Sequence, residues 1–299
     1  MQALRSSFVA LRQSAAITLY SFLGAKPFRW FLPSSKIGDR LYSYLLFLGK
    51  HKRRPGTTTF NDKIFQILTT EEIYDPLRVF ITDKEFVKLF VGAVLGDKYN
   101  VPTLDILRSD DDVDAFRFQQ PCVIKPTHSS GRVLHCYTEE DVDRDLLKQW
   151  LRHCFYTGTR EPNYKTLRKK LIVEPMLFEE SQAVDYKVFC VEGVPKMIKV
   201  DLDRHSGHLR KFYDAAWNPL PFSWNAKPTD KVVKQPEMLS EMIDAAAALS
   251  QHFSFIRVDL YLVEGKVLIG ELTNCDGGIG NIFYPKSGEQ IATKVCFES

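Results

Sequence analysis

The densest run of chemistry-bearing residues in this 299-residue chain is Phe255-Ile256-Arg257-Val258-Asp259-Leu260. Twelve residues after its aspartate stands Glu271, in Gly270-Glu271-Leu272-Thr273-Asn274. Read as two strands turning at Glu264-Gly265, this spacing can bring Asp259 and Glu271 side by side on one face. Two carboxylates so placed repel each other unless a cation lies between them. Magnesium suits the pair, because it takes hard oxygen ligands and is commonly held by one or two carboxylates, and Thr273 or Asn274 could add a neutral oxygen. Arg257 points to the same face and could hold a developing negative charge. The run that follows, Cys275-Asp276-Gly277-Gly278-Ile279-Gly280-Asn281, is a glycine-rich loop suited to close approach of backbone to a ligand.

Two constellations lie upstream. Val123-Ile124-Lys125-Pro126 sets a lysine at the end of an apolar run, just before a loop carrying Thr127, Ser129, Ser130 and Gly131. A lysine there can reach nucleotide phosphates as a point charge while loop N–H groups cover them. Ile172-Val173-Glu174-Pro175-Met176 is an apolar run ending in an acid, which can present backbone groups to a flat base in an apolar pocket. Taken singly, either could equally be a strand that ends in a solvated charge.

Positioning these groups requires alternating strands and helices. Residues 122–125 and 133–137 read as a hairpin, and 171–177, 186–191 and 197–200 as strands, the last two joined by Glu192-Gly193. Residues 256–263 and 266–272 form the late hairpin. Helical periodicity covers 86–95, 139–155 and 238–253, while 77–81 reads as a short strand. Thr82-Asp83 then offers a helix N-cap, with Lys84 in the first turn.

Order and spacing together resemble the ATP-grasp superfamily, and most closely its TupA-like branch, named for teichuronopeptide synthesis. The branch pattern is echoed in Thr82-Asp83-Lys84, Val123-Ile124-Lys125-Pro126-Thr127-His128, Val173-Glu174, Asp185-Tyr186-Lys187-Val188-Phe189, Asp203-Arg204, Phe212-Tyr213-Asp214, Arg257-Val258-Asp259-Leu260-Tyr261 and Gly270-Glu271-Leu272-Thr273. The resemblance runs from about residue 60 to the C-terminus. It implies an α+β ATP-grasp fold in which two α+β lobes clasp ATP. Residues 1–59 would be a basic helical extension, 60–120 a pre-grasp α/β segment, 121–177 the lid subdomain, and 178–299 the central and C-terminal subdomain with the metal site.

The same resemblance implies roles. Lys84 or Lys125 would contact phosphates, the 127–132 loop with Ser129, Ser130 and Gly131 would be the lid, and Glu174 with neighbours such as Met176 would hold adenine or ribose. Asp259 and Glu271 would ligate Mg2+. Many ATP-grasp sequences carry Glu-x-Asn at the metal, whereas Thr273 stands third here with Asn274 next to it. Asp185, Lys187, Asp201, Arg204 and Arg210 lie where family members gather acceptor and phosphate contacts. The catalytic set is then Arg257, Lys187 and Arg204, with Asp185 among the nucleotide contacts. The implied reaction is carboxylate–amine ligation through an acyl phosphate, with a uronic-acid carboxyl of a bacterial surface polysaccharide as acceptor. A small-molecule kinase and a non-catalytic nucleotide-binding module are the alternatives. No G-x-S-x-G or other nucleophile motif is present.

Residues 1–60 hold ten Lys or Arg against one acid, a balance of +9 that leaves −6 for the remainder of a chain whose net charge is +3. A basic leader on an acidic body favours a membrane surface or polyanion as its partner, or else is a solvated helix face; no specific nucleic-acid partner is expected. The uncharged run 13–25 is too short to span a bilayer, and no A-x-A-like cleavage site follows it. Six cysteines without C-x-x-C spacing read as reduced core thiols of a cytoplasmic protein, peripheral at the inner face of the membrane if the leader docks there.

Overall fold

A computed structural model describes residues 31–177, 184–202, 209–226 and 228–298. Asp203, Arg204 and residues 1–30 of the basic leader lie outside the described residues. The helices are α1 (Lys36–His51), α2 (Phe60–Thr69), α3 (Pro76–Thr82), α4 (Phe86–Leu95), α5 (Asp110–Ala115), α6 (Arg144–Arg152), α7 (Phe155–Thr159), α8 (Leu239–Ser250) and α9 (Gly288–Phe297). The strands are β1 (Asp105–Leu107), β2 (Cys122–Pro126), β3 (Leu134–Cys136), β4 (Leu171–Pro175), β5 (Asp185–Val191), β6 (Val194–Leu202), β7 (Leu209–Asp214), β8 (Ser223–Trp224), β9 (Phe255–Val263), β10 (Lys266–Thr273) and β11 (Phe283–Tyr284).

The strands form two larger antiparallel sheets. A smaller sheet runs β1-β4-β2-β3, and a central one runs β10-β9-β5-β6-β7. The smaller sheet packs Ile124, Leu171 and Val173 against Val113 of α5 and Leu147, Trp150 and Leu151 of α6. Both expected two-residue turns are present in the central sheet: Glu192-Gly193 and Glu264-Gly265 all have positive φ, the geometry that matches the twist of tight hairpins.

Period-two alternation divides the work of the central sheet. Val188, Ile198, Val200, Ile256, Val258 and Leu260 point to one face and form a core with α4 and α8. The opposite face is split along its length. At one end Phe189, Met197, Phe212 and Phe255 join Phe60, Trp224 and Phe283 in an aromatic core. At the other end the same face carries Asp185, Lys187, Lys199, Asp201, Arg257 and Asp259, all buried. Each of β5, β6 and β9 therefore holds apolar side chains at one end and charges at the other.

Three local expectations need correction. Residues 77–81 are helical, not extended: Asp75 caps α3 by accepting the N–H of Leu77 at 2.8 Å, and Pro76 occupies the first helical position, where its missing N–H costs nothing. Cap chemistry just ahead of the run outweighs its β-branched content. Residues 139–155 are broken into a 3₁₀ turn, α6 and α7, because Asp143 restarts the helix by accepting from Leu146 N–H at 2.9 Å and His153 is extended. Lys84 stands in the turn between α3 and α4, not in a helix; Asp83 fixes that turn by accepting Glu85 N–H at 2.9 Å.

The register of the late hairpin carries a β-bulge. From the turn, Val263 pairs with Lys266 and Leu260 with Ile269, after which Gly270 is extra and Glu271 pairs with Asp259. Without that extra residue Glu271 would oppose Val258, on the apolar face. A Cβ on residue 270 would lie 2.6 Å from the Tyr261 ring. Gly270→Ala is therefore expected to destabilise the fold by ~1–3 kcal/mol, as overpacking does, with Tyr261→Ala in the same chain restoring part of the loss in urea unfolding.

Candidate active site

The charged end of the central sheet is one connected network. Arg257 gives Nε to Asp259 at 2.6 Å, Nη2 to Asp259 at 2.7 Å and to Glu271 at 3.1 Å, and Nη1 to Asp276. Lys187, opposite Asp259 in register, lies 2.8 Å from Asp185 and 3.5 Å from both Asp201 and Asp259. Lys199 reaches Asp276 at 3.1 Å, and Arg210 reaches Asp201 at 3.0 Å. Lys84 closes the set at 3.6 Å from Glu271.

Burial alone would raise the Glu271 pKa, but Lys84 and Arg257 outweigh it and hold the carboxyl down at about 2. Asp276 is held well below the usual range in the same way, by Lys199 and Arg257 against burial. Burial lowers the Lys199 and Lys84 pKa values, and the nearby carboxylates resist this. Arg257 is pushed far up, because Asp259 and Asp276 overcome the cost of its desolvation.

Five cations (Lys84, Lys187, Lys199, Arg210, Arg257) face five carboxylates (Asp185, Asp201, Asp259, Glu271, Asp276). Among the described residues these charges balance, so a polyphosphate entering the site needs further positive charge. Asp259 and Glu271 offer opposed hard oxygens, and the Thr273 hydroxyl donates to Glu271 at 3.0 Å. Among the described residues no three His, Cys, Asp or Glu side chains are grouped as a complete metal cage. That donor set fits magnesium, which keeps few protein carboxylates and completes its shell with phosphate oxygens and water.

Asn274 departs from the expected ligand set. Its Oδ1 accepts from Arg78 at 3.0 Å, and its Nδ2 donates to Thr82 Oγ1 at 3.0 Å and to the Arg78 carbonyl at 3.2 Å. Strand alternation turns it away from Thr273 and spends it on α3.

The lid-side residues form a second group. Glu174 lies between Lys125 at 2.5 Å and Lys88 at 2.6 Å, and these lysines outweigh burial to keep its pKa below the ordinary value. Met176, just past β4, is half-buried and gives its N–H to the Pro121 carbonyl at 3.0 Å. The first half of the loop is pinned: Thr127 donates its N–H to the Lys170 carbonyl at 2.9 Å, and Lys84 Nζ donates to the Ser129 carbonyl at 2.7 Å. Ser129 Oγ is buried with no partner among the described residues, in the residue whose carbonyl receives Lys84 Nζ, and a free hydroxyl on a loop held by an ammonium suits an anionic oxygen. Ser130 is exposed, and Gly131 takes a φ of +74° that favours glycine.

Because the folded pKa of Glu174 is depressed, its ion pairs stabilise the fold fully above the ordinary carboxylate range and are lost as pH falls through and below it. Glu174→Gln is expected to flatten the acid limb of the urea midpoint measured between pH ~7 and ~3.

Three further members escaped sequence reasoning: Lys88, Lys199 and Asp276. Lys199 had a signal, since a lysine at an inward position of Met197-Ile198-Lys199-Val200-Asp201 must be paired. Asp276, within a glycine-rich loop, had none. Asn281 holds that loop, its Nδ2 donating to the Asp276 carbonyl at 2.9 Å, and His51 of α1 bonds the Ile279 carbonyl at 2.7 Å.

Residues 64–293 match the family model of the TupA-like ATP-grasp proteins. No curated protein matches the chain. Among solved structures, it is similar to D-alanine–D-alanine ligase from Bacillus anthracis complexed with ATP, at 17% identity over 66% of this chain and 56% of that one, with a TM-score of 0.39. L-amino acid ligase from Bacillus licheniformis follows at 13% identity over 78% and 55%, TM-score 0.44. Phosphoribosylamine–glycine ligase from Thermotoga maritima stands at 15% identity over 68% and 53%, TM-score 0.41. The chain spans little more than half the length of each of these structures. With more than three quarters of its residues inside one family match, the chain belongs to the TupA-like ATP-grasp family.

Proposed function

We propose that the protein is an ATP- and magnesium-dependent ligase that joins a carboxylate to an amine through an acyl phosphate. The observation that carries this reading is the opposed pair Asp259 and Glu271 in a network of paired charges whose Lys84 also holds the carbonyl of Ser129, a residue with an unused buried hydroxyl. Asp259 and Glu271, with Thr273 beside Glu271, would hold magnesium. When bound, that ion neutralises phosphoryl oxygens as a Lewis acid. Lys84 and Ser129 would hold the transferred phosphoryl group, and Lys125 with Glu174 and Met176 would take the nucleotide on the lid side.

Arg257 spends its N–H groups on three carboxylates, so it acts by keeping Asp259, Glu271 and Asp276 in place. Lys187 does the same for Asp185, Asp201 and Asp259. The substrate carboxylate supplies the nucleophilic oxygen, and positioning with charge neutralisation is what the reaction asks of the protein. The acceptor class that we favour is a uronic-acid carboxyl of a bacterial surface polysaccharide, taken up on the cytoplasmic side, where the basic leader would meet anionic lipid. Among the described residues no helix is long and apolar enough to cross a membrane.

The test is ADP release by purified protein with magnesium against a panel of uronic acids and amino acids, with hydroxylamine as a trap for acyl phosphate. Hydroxamate formed with one class of carboxylate is the expected result. ATP use that ignores every carboxylate and depends on a hydroxyl acceptor would make the protein a kinase, and ATP binding without turnover would make it a binding module.

A further inference from the structure

Lys84, which the reading above sets on the transferred phosphoryl group, stands between two acids in Asp83-Lys84-Glu85. An ammonium with a carboxylate on either side would be neutralised by its own chain neighbours. Lys170, the residue just before β4, changes that balance. Its ammonium ion-pairs with Asp83 at 3.1 Å and with Glu85, and lies 4.0 Å from the centre of the Phe86 ring. The Lys170 side chain is 5% exposed and that of Asp83 1%, so water does little to screen the pair. Glu85 has a second partner in the exposed Arg108, at 2.7 Å. For Asp83, Lys170 is the one ion-pair partner among the described residues.

The main chain of Lys170 borders the lid loop as well. Its carbonyl accepts the Thr127 N–H at 2.9 Å, and its own N–H donates to His128 Nδ1 at 3.2 Å. The turn that carries Lys84 meets the same loop: Thr127 Oγ1 donates to Asp83 at 3.3 Å, and the Lys84 N–H to the Thr127 carbonyl at 3.3 Å. Lys170 therefore clips the 83–85 turn with its side chain and the 127–128 backbone with its main chain. With both flanking acids occupied, Lys84 Nζ is left to the Ser129 carbonyl at 2.7 Å and to Glu271 at 3.6 Å. A carbonyl carries only partial charge, and Glu271 lies beyond hydrogen-bond distance, so the Lys84 ammonium keeps charge to offer an entering anion.

We propose that Lys170 is a positioning residue for phosphoryl transfer: it occupies Asp83 and Glu85, so that Lys84 stays turned to Ser129 and open to the terminal phosphate of ATP. This rests on the role given to Lys84 above. Lys170 acts through the two acids and not on the substrate. In Lys170→Met the Asp83 carboxylate keeps its burial and loses its partner, a costly state that draws in any cation within reach. Lys84 adjoins it in the chain. Its ammonium then turns back to Asp83 and away from the phosphate.

The experiment measures dissociation constants for MgATP and MgADP by calorimetry in wild type, Lys84→Met, Lys170→Met and Lys170→Met with Asp83→Asn. Wild type is expected to prefer ATP, and Lys84→Met to lose that preference. For Lys170→Met we expect ATP binding weakened ~10-fold with ADP within ~2-fold, the scale of one hydrogen bond to a charged group that ADP does not make. Adding Asp83→Asn removes the stranded charge and should bring ATP back to within ~3-fold of wild type. Equal weakening of both nucleotides is what a structural lesion gives, and it overturns the proposal. Unchanged ATP binding in Lys170→Met also overturns it, and leaves the role of Lys84 standing where Lys84→Met has lost the preference. If Lys84→Met keeps the preference, or wild type has none, the role of Lys84 falls and this proposal with it. Should Lys170→Met lack the circular dichroism of wild type, the double variant decides: a retained ATP preference is expected, and its loss, or failure of that chain to fold too, overturns the assignment.

Discussion

Glu271→Ala is expected to abolish ATP turnover while leaving the protein folded. Its side chain is 31% exposed at the mouth of the network and touches Lys84, Arg257 and Thr273, so truncation opens space to water instead of emptying a core. What disappears is half of the opposed carboxylate pair. Metal neutralisation of a phosphoryl group is worth several kcal/mol, and each ~1.4 kcal/mol is tenfold in rate, so a fall of at least ~10²–10³-fold in kcat is expected. Raising magnesium should recover part of the rate in Glu271→Gln, which keeps an oxygen, and none in Glu271→Ala. ADP release at saturating ATP, with circular dichroism as the folding control, measures this. Glu271→Ala with a wild-type kcat would remove Glu271 from the metal site.

Arg257→Met is expected to act on stability first. The guanidinium is buried and bonds Asp259, Asp276 and Glu271, three acids that sit together only because it lies among them. Removing one partner of a buried ion pair typically costs ~3–5 kcal/mol, since the surviving charge keeps its desolvation penalty and loses its compensation. Lys187 and Lys199 remain to take part of the charge, which places the expected loss near ~3 kcal/mol by equilibrium urea unfolding. Lysine is a poor substitute, because a point charge cannot bond Asp259 through two nitrogens. Arg257→Lys should therefore recover less than half of the loss. A second change, Asp276→Asn, should give back more than that in the Arg257→Met chain, by removing a stranded charge.

The late hairpin shows how far local sequence reaches. Glu264-Gly265 fixes a two-residue turn, alternation assigns the faces, and Asp259 with Glu271 follows as the pair most worth examining. Counting outward from that turn without interruption, however, puts Glu271 on the wrong face. Gly270 corrects the count; a glycine inside the strand run is the one local sign of the bulge, and the close Tyr261 ring shows why no side chain stands there. Lys187 was readable as a candidate, yet its meeting with Asp259 depends on β5 lying beside β9, a long-range pairing that no spacing encodes. Asp276 was invisible for a related reason: it is one acid in a glycine-rich loop, and its meaning comes only from Lys199 and Arg257, which the fold brings to it. In α3 the failure was local, with a proline and an aspartate at the helix start outvoting the β-branched residues after them.

The anchors of Arg160 and of the glycine-rich loop have a consequence for where the packed body begins. Asp39 and His51 belong to α1, ahead of residue 64 where the family match starts, yet one secures Arg160 and the other ties down the Ile279 carbonyl. The stretch 36–51 thus braces both the segment at Arg160 and the glycine-rich loop. A chain trimmed to the matched residues would keep every charged side chain of the central sheet and lose these two struts. The packed body of this protein reaches further at its front than the region by which its family is recognised.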